Sequence, residues 1–223
     1  MDLEKASITA TDWAAWHADY DRDTPLRRRL EIVQRFIKTA LTDEERSPVH
    51  VLSMCAGEAR DLLGALESIT RRDLVGRLVE LDPGLAANAR RRSAALGLKN
   101  LEVVTGDAAQ ARAYAGATPA ELVLACGVFG NISDEDIQRT VRALPQLCAP
   151  GATVIWTRHR EPPDITPAIR SWLAEEGFEE NAFEPVPDGP GSVGVARYAG
   201  EPQPLVDGEL FTFVKSGPSG PSG

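Results

Sequence analysis

The stretch that most constrains this chain is VHVLSMCAGEARDLLGAL, residues 49–66, together with the motifs that recur downstream of it at regular intervals. A short apolar run, His50-Val51-Leu52-Ser53-Met54, ends in Cys55-Ala56-Gly57-Glu58-Ala59, after which Leu62, Leu63 and Leu66 recur at helical spacing. This reads as a strand, a tight turn of small residues and a helix. A second strand over 76–81 ends on Glu80 and Asp82, and a third over 101–105 ends on Gly106-Asp107-Ala108. A fourth over 122–125 runs into Cys126-Gly127-Val128-Phe129-Gly130-Asn131. Each strand therefore leaves small or acidic residues at its carboxyl end, where open parallel α/β sheets bind ligands.

The rest of the chain continues the alternation. Helical patterns fall near 60–68, 84–96, 108–115 and 134–147, a fifth strand covers 153–157, and a helix over 166–176 stops at Gly177. Alternating strands and helices predict a parallel sheet with right-handed crossovers. The end is different: strands are predicted over 180–186, 193–198 and 210–214 without long helices between them, and Asp188-Gly189-Pro190-Gly191 is a turn. Closely spaced strands predict an antiparallel edge. Upstream, Thr11 can cap a helix from Asp12 to about Tyr20, and Thr24-Pro25 opens a second helix. In that second helix Leu26, Leu30, Val33, Ile37 and Leu41 form a core-facing stripe. The last residues, SGPSGPSG from Ser216, have a composition expected to be disordered.

Composition narrows the function classes. The chain has 223 residues, which suits one α/β domain, and its net charge of −9 argues against a broad nucleic-acid or anionic-membrane partner. The arginine runs at 27–29 and 90–92 lie in helical patterns beside acidic residues and read as solvated faces. Three cysteines without a CxxC pair, and three histidines far apart, predict neither a metal site nor a disulfide framework. No basic-then-apolar leader opens the sequence and no apolar run approaches the ~20 residues of a membrane span, so the expected location is the cytoplasm.

With these motifs in place, the chain resembles the class I S-adenosylmethionine-dependent methyltransferases, by motif over about residues 49–160. The resemblance implies a Rossmann-like, doubly wound, mixed seven-stranded sheet, antiparallel at its C-terminal edge, with an N-terminal helical cap. The expected organisation is one domain over 1–215, with the cap in 1–42 and the core in 49–215, followed by the tail over 216–223 whose composition predicts disorder. The resemblance also implies S-adenosyl-L-methionine as cofactor. By that resemblance Ser53, Cys55, Ala56, Gly57 and Glu58 form the turn against the methionine part, Glu80 takes the ribose hydroxyls with Leu81 beside it, and Asp107 and Ala108 hold adenine. Cys126 and Gly127 complete the cofactor set. The chemistry agrees, since one carboxylate can accept both donors of a ribose diol. Glu80 lies 23 residues beyond Gly57, near the distance expected in nucleotide-binding βαβ units.

The turn departs from the family pattern, acidic-x-Gly-x-Gly-x-Gly. Ser53 stands at the acidic position, Cys55 and Ala59 replace the outer glycines, and only Gly57 remains. Glu58 and Asp61 offer a partial replacement for the missing charge. Each motif alone also has a plainer reading: the turn as a simple connection, Asp107 as a helix cap, Glu80 and Asp82 as a solvated strand end. A nicotinamide dehydrogenase is disfavoured because Gly-x-Gly-x-x-Gly is absent.

Three places offer an acceptor site. Trp13, Trp16, His17 and Tyr20 share a helix face, which is either core packing or a lid with Tyr20 and His17 pointing inward. Gly127 to Asn131 offers Phe129 as an apolar wall and Asn131 as a polar handle, unless Asn131 stabilises a turn. Arg158-His159-Arg160 offers His159 as a general base, unless it is a surface histidine. The candidate catalytic residues are thus His159, His17 and Tyr20, and the candidate substrate contacts Trp16, Phe129 and Asn131. The expected activity is methyl transfer to a small-molecule acceptor such as a specialised metabolite, with no nucleic-acid or membrane partner and homodimerisation left open. The alternatives are an S-adenosylmethionine-binding enzyme or sensor that transfers no methyl group, and an interaction protein on the same scaffold.

Overall fold

The computed structural model describes residues 24–214. The first element is helix α1 (Pro25–Asp43), begun as its sequence predicts: the Thr24 hydroxyl accepts from the Arg27 amide at 3.2 Å, with proline in the first turn. Ile32, Val33, Ile37 and Leu41 are its buried stripe. Strand β1 (Val49–Met54) comes next, then α2 (Arg60–Leu66), β2 (Leu74–Glu80), α3 (Pro83–Ala95), β3 (Asn100–Thr105), β4 (Ala120–Ala125), α4 (Asp134–Ala143), β5 (Cys148–His159), α5 (Thr166–Glu175), β6 (Phe178–Pro185) and β7 (Gly191–Tyr198).

The seven strands form one sheet in the order β3-β2-β1-β4-β5-β7-β6. The first five are parallel, and β7 runs antiparallel to both β5 and β6. The order reverses between β1 and β4, so the carboxyl ends of β2, β1 and β4 flank the switch point at which a crevice opens. Helices α1, α2 and α3 cover one face through Ile37, Leu41, Leu62, Leu63, Leu66, Ala86 and Ala89, while α4 and α5 cover the other through Ile137, Val141, Ile169 and Leu173. Two glycines in the strands are there for space. At Gly76 (φ +138°) a Cβ would stand 2.0 Å from the Val51 carbonyl oxygen of β1, and at Gly194 it would stand 2.1 Å from the Trp156 ring.

Two expectations are corrected on the second face. The helix predicted over 108–115 is replaced by a turn and a short 3₁₀ segment, Ala111–Tyr114, because the alanine-rich run is held by outside partners. Arg77 of β2 donates to the carbonyls of Ala113 at 2.8 Å and Ala115 at 2.9 Å, and Tyr114 is buried with its hydroxyl on the Ala108 carbonyl at 2.8 Å. The strand predicted over 210–214 does not join the sheet. This segment instead climbs between the short crossover and α4, making only isolated bridges at Glu209 and Phe213. Leu210 donates its amide to the Ala109 carbonyl at 2.7 Å, Thr212 to the Asp136 carboxylate at 2.9 Å, and Val214 to the Asn131 carbonyl at 2.9 Å. Leu210 and Phe211 are buried in the same core cluster as Ala108, Ala111 and Tyr114. Their apolar pattern is a core signal, which alternation alone mistakes for a strand. The helix predicted over 12–20 and the tail over 216–223 lie outside the described residues.

Candidate active site

The turn after β1 alternates in handedness. Cys55, Gly57 and Ala59 have φ of +54°, +57° and +53°. These are the three positions at which the family pattern has glycine, so the backbone keeps the glycine path while two of the residues do not. A non-glycine residue in this region bears about 1–2 kcal/mol of strain, and such outliers collect at functional sites. A Cβ built on Gly57 meets nothing within 4 Å, so the turn faces open space. Ala59 caps α2 and is fully buried, with its amide on the Ala56 carbonyl at 2.7 Å. Ser53 is 2% exposed and belongs to the strand interior.

The Glu80 carboxylate holds this turn to the next one. It is 8% exposed, and one oxygen accepts from the Gly57 amide at 2.7 Å while the other accepts from the Asp82 amide at 2.8 Å. Asp82 itself caps α3 by accepting from Gly84 and Leu85. Leu81, next to Glu80 in sequence, has 63% of its surface exposed. Asp107 comes after β3 and accepts from the Ala109 amide at 2.9 Å, so it does cap a turn, though not a helix. Burial raises the Cys55 thiol pKa, and the Glu80 and Asp107 carboxylates add to that push, so the turn and both carboxylates share one electrostatic neighbourhood. Cys55 is therefore a neutral thiol at physiological pH.

Glu58 is engaged by neighbouring helices. Its oxygens accept from Asn88 of α3 at 2.6 Å and Arg60 at 2.9 Å, so it braces α2 to α3. Asp61, in the first turn of α2, accepts from the Leu62 amide at 2.7 Å, and its burial raises its pKa against the opposing pull of that bond and of Arg92 and Arg29.

Across the switch point, Gly127 (φ +77°) donates its amide to the Thr157 hydroxyl of β5 at 2.8 Å, and Cys126 lies partly buried behind it. Asn131 donates to the Gly127 carbonyl at 2.7 Å, so its amide nitrogen stabilises the turn. Phe129 is corrected outright. Its side chain is fully buried with its ring 6.1 Å from that of Trp156, and it packs in the core instead of walling a crevice. At the end of β5, the His159 side chain is 36% exposed with Nδ1 3.8 Å from Glu161. Burial first, and then the Arg158 cation, hold its pKa below the usual 6.5. Trp16, His17 and Tyr20 lie outside the described residues. Sequence reasoning did not assign Tyr114, Thr157 or Arg158 a part in the site: Tyr114 fixes its own loop through the Ala108 carbonyl, while Thr157 and Arg158 reach across from β5 to the loop after β4, a pairing that leaves no local signature.

Comparison with solved structures agrees with this architecture. Magnesium protoporphyrin IX methyltransferase from Synechocystis, solved with bound S-adenosylhomocysteine, superposes with a TM-score of 0.65 at 12% identity, over 85% of this chain and 94% of that one. The CurJ carbon methyltransferase gives 0.62 at 15% identity, over 85% of this chain and 59% of that one. An O-methyltransferase family protein from Burkholderia thailandensis gives 0.60 at 16% identity, over 85% and 61%. This chain thus spans about three-fifths of the length of the latter two. No protein-family model matches the sequence, and no curated protein matches it. The fold is that of the class I S-adenosylmethionine-dependent methyltransferases. No helix among the described residues is long and apolar enough to cross a membrane.

Proposed function

We propose that this chain is an S-adenosylmethionine-dependent methyltransferase acting on a small-molecule acceptor. The observation that carries the reading is the turn of three left-handed residues, Cys55, Gly57 and Ala59, tied to the Glu80 carboxylate at the switch point of the sheet. The residues present fit the cofactor. A carboxylate has about four lone-pair positions. Glu80 uses one on each oxygen for backbone amides, which leaves capacity for a ribose diol. Leu81 offers an exposed apolar face for adenine, Asp107 an acceptor for its exocyclic amine, and the open space over Gly57 room for the methionine part.

Bound S-adenosylmethionine would supply an electrophilic methyl group on its sulfonium. The protein's share of such an in-line displacement is alignment, exclusion of water and, for a weak nucleophile, acceptance of a proton. Gly127 and Asn131 hold the loop after β4 in one shape, which serves alignment. His159, neutral at pH 7 by the direction of its shift, is the described residue suited to accept a proton. A net charge of −9 favours a small acceptor over a nucleic acid. The test is incubation of the protein with methyl-tritiated S-adenosylmethionine and a deproteinised metabolite extract, with total RNA in a parallel tube. The reading expects label in extracted small molecules. Label in RNA would overturn the small acceptor, and donor bound but never consumed would favour a sensor.

A further inference from the structure

Among the described residues, four buried side-chain nitrogen or oxygen atoms have no hydrogen-bond partner, and three of them belong to consecutive residues at the end of β5: Arg158 Nε, His159 Nδ1 and Arg160 Nε. Buried polar groups are nearly always paired, and the two arginine Nε atoms can only donate, so they ask for a missing acceptor. Arg158 is the centre of it. Only 10% of its side chain is exposed, and its guanidinium donates through one terminal nitrogen to the Phe129 carbonyl after β4, with Nε left over. Burial lowers its pKa, and the nearby Asp134 and Asp164 oppose that effect.

The local carboxylates do not satisfy it. Asp134 stands 4.0 Å from the guanidinium and is half exposed. Asp164 accepts from both the amide and the hydroxyl of Thr166, at 2.9 and 2.8 Å, and Glu161 is turned toward His159 at 3.8 Å. The guanidinium carries five donors in a planar fork suited to carboxylate or phosphate. It sits between the loops after β4 and β5, on the side of the switch point away from Glu80.

We propose that the methyl acceptor carries an anionic group, carboxylate or phosphate, and that Arg158 and Arg160 bind it. The proposal rests on the methyltransferase reading for the word acceptor, and on the orphaned donors alone for the anion site. It is tested by calorimetry on the whole chain, with and without saturating S-adenosylhomocysteine, using benzoate and phenyl phosphate as anionic probes and benzamide as their uncharged counterpart. The two anions distinguish a carboxylate from a phosphate site. At least one anion binds and benzamide does not, and Arg158→Gln weakens the anion by about ten-fold or more, the scale of one charge-assisted hydrogen bond. Arg160→Gln, at the outer end of the cluster, weakens it in the same direction if the Arg158 variant does not fold. S-adenosylhomocysteine affinity in Arg160→Gln stays within roughly three-fold of the parent. Equal binding of benzamide and benzoate, no binding of either anion, or folded variants that bind the anion as the parent does would overturn the proposal. Anion binding without any S-adenosylhomocysteine binding would uphold the site while removing the methyltransferase reading.

Discussion

Replacing Glu80 by Gln keeps the shape of the side chain and changes only what its end can accept. Two partly buried amides, Gly57 at 2.7 Å and Asp82 at 2.8 Å, now point at two carboxylate oxygens. A carboxamide has one oxygen and one NH₂, so one amide is left facing a donor. Losing one charge-assisted hydrogen bond costs about 1.5–3 kcal/mol. For a chain of this size that corresponds to a drop in Tm of roughly 3–12 °C, read by differential scanning calorimetry. The ribose diol loses an acceptor at the same time, which weakens S-adenosylhomocysteine by a similar amount, about 10–150-fold in Kd. Stability and affinity should therefore fall together. A folded variant that binds S-adenosylhomocysteine within about two-fold of the parent would refute the placing of the ribose on Glu80. An unchanged Tm would refute its bracing of the turn.

Three other substitutions probe separate links. Gly57→Ala meets no neighbour but must hold φ +57°, so the apo protein loses about 1–2 kcal/mol by denaturant titration while cofactor affinity falls more than about ten-fold; parent-like affinity would place the cradle elsewhere. Phe211→Ala empties a fully buried site and should cost about 3–5 kcal/mol of stability; a parent-like denaturation midpoint would mean that the C-terminal segment is not part of the core. His159 has its pKa held below 6.5, and a base must be neutral, so kcat/KM should rise with pH through an ionisation below 6.5 and stay level above it. His159→Gln should remove that limb, and a limb retained in the variant would exclude the role.

The parallel core was legible because its signals are local. Each strand is a short apolar run, and helices α1 and α3 begin with a hydrogen-bonding cap and then proline, at Thr24-Pro25 and Asp82-Pro83. The antiparallel β6–β7 edge was legible from its turn and the absence of a helix. What sequence could not show was long-range. The 108–115 run has helix-forming alanines, yet Arg77 and Tyr114 fix its carbonyls and the C-terminal segment occupies the groove beside it. Phe129 could be placed in a loop but not turned inward onto Trp156. The left-handed conformations of Cys55 and Ala59 were concealed because neither residue is glycine, although their positions in the pattern pointed to them. The bond from Asn88 to Glu58, thirty residues apart in sequence, is likewise invisible to local patterns.

Whether the strained turn and Glu80 form a site for S-adenosylmethionine is decided most directly by calorimetric titration of the whole chain with S-adenosylhomocysteine. Saturable one-to-one binding that S-adenosylmethionine displaces is expected. A matching rise in thermal stability is expected with it, of about 2.7 kcal/mol at roughly a hundred times the Kd. No saturable heat, together with a Tm unmoved by millimolar ligand, would contradict the assignment of this site to the cofactor.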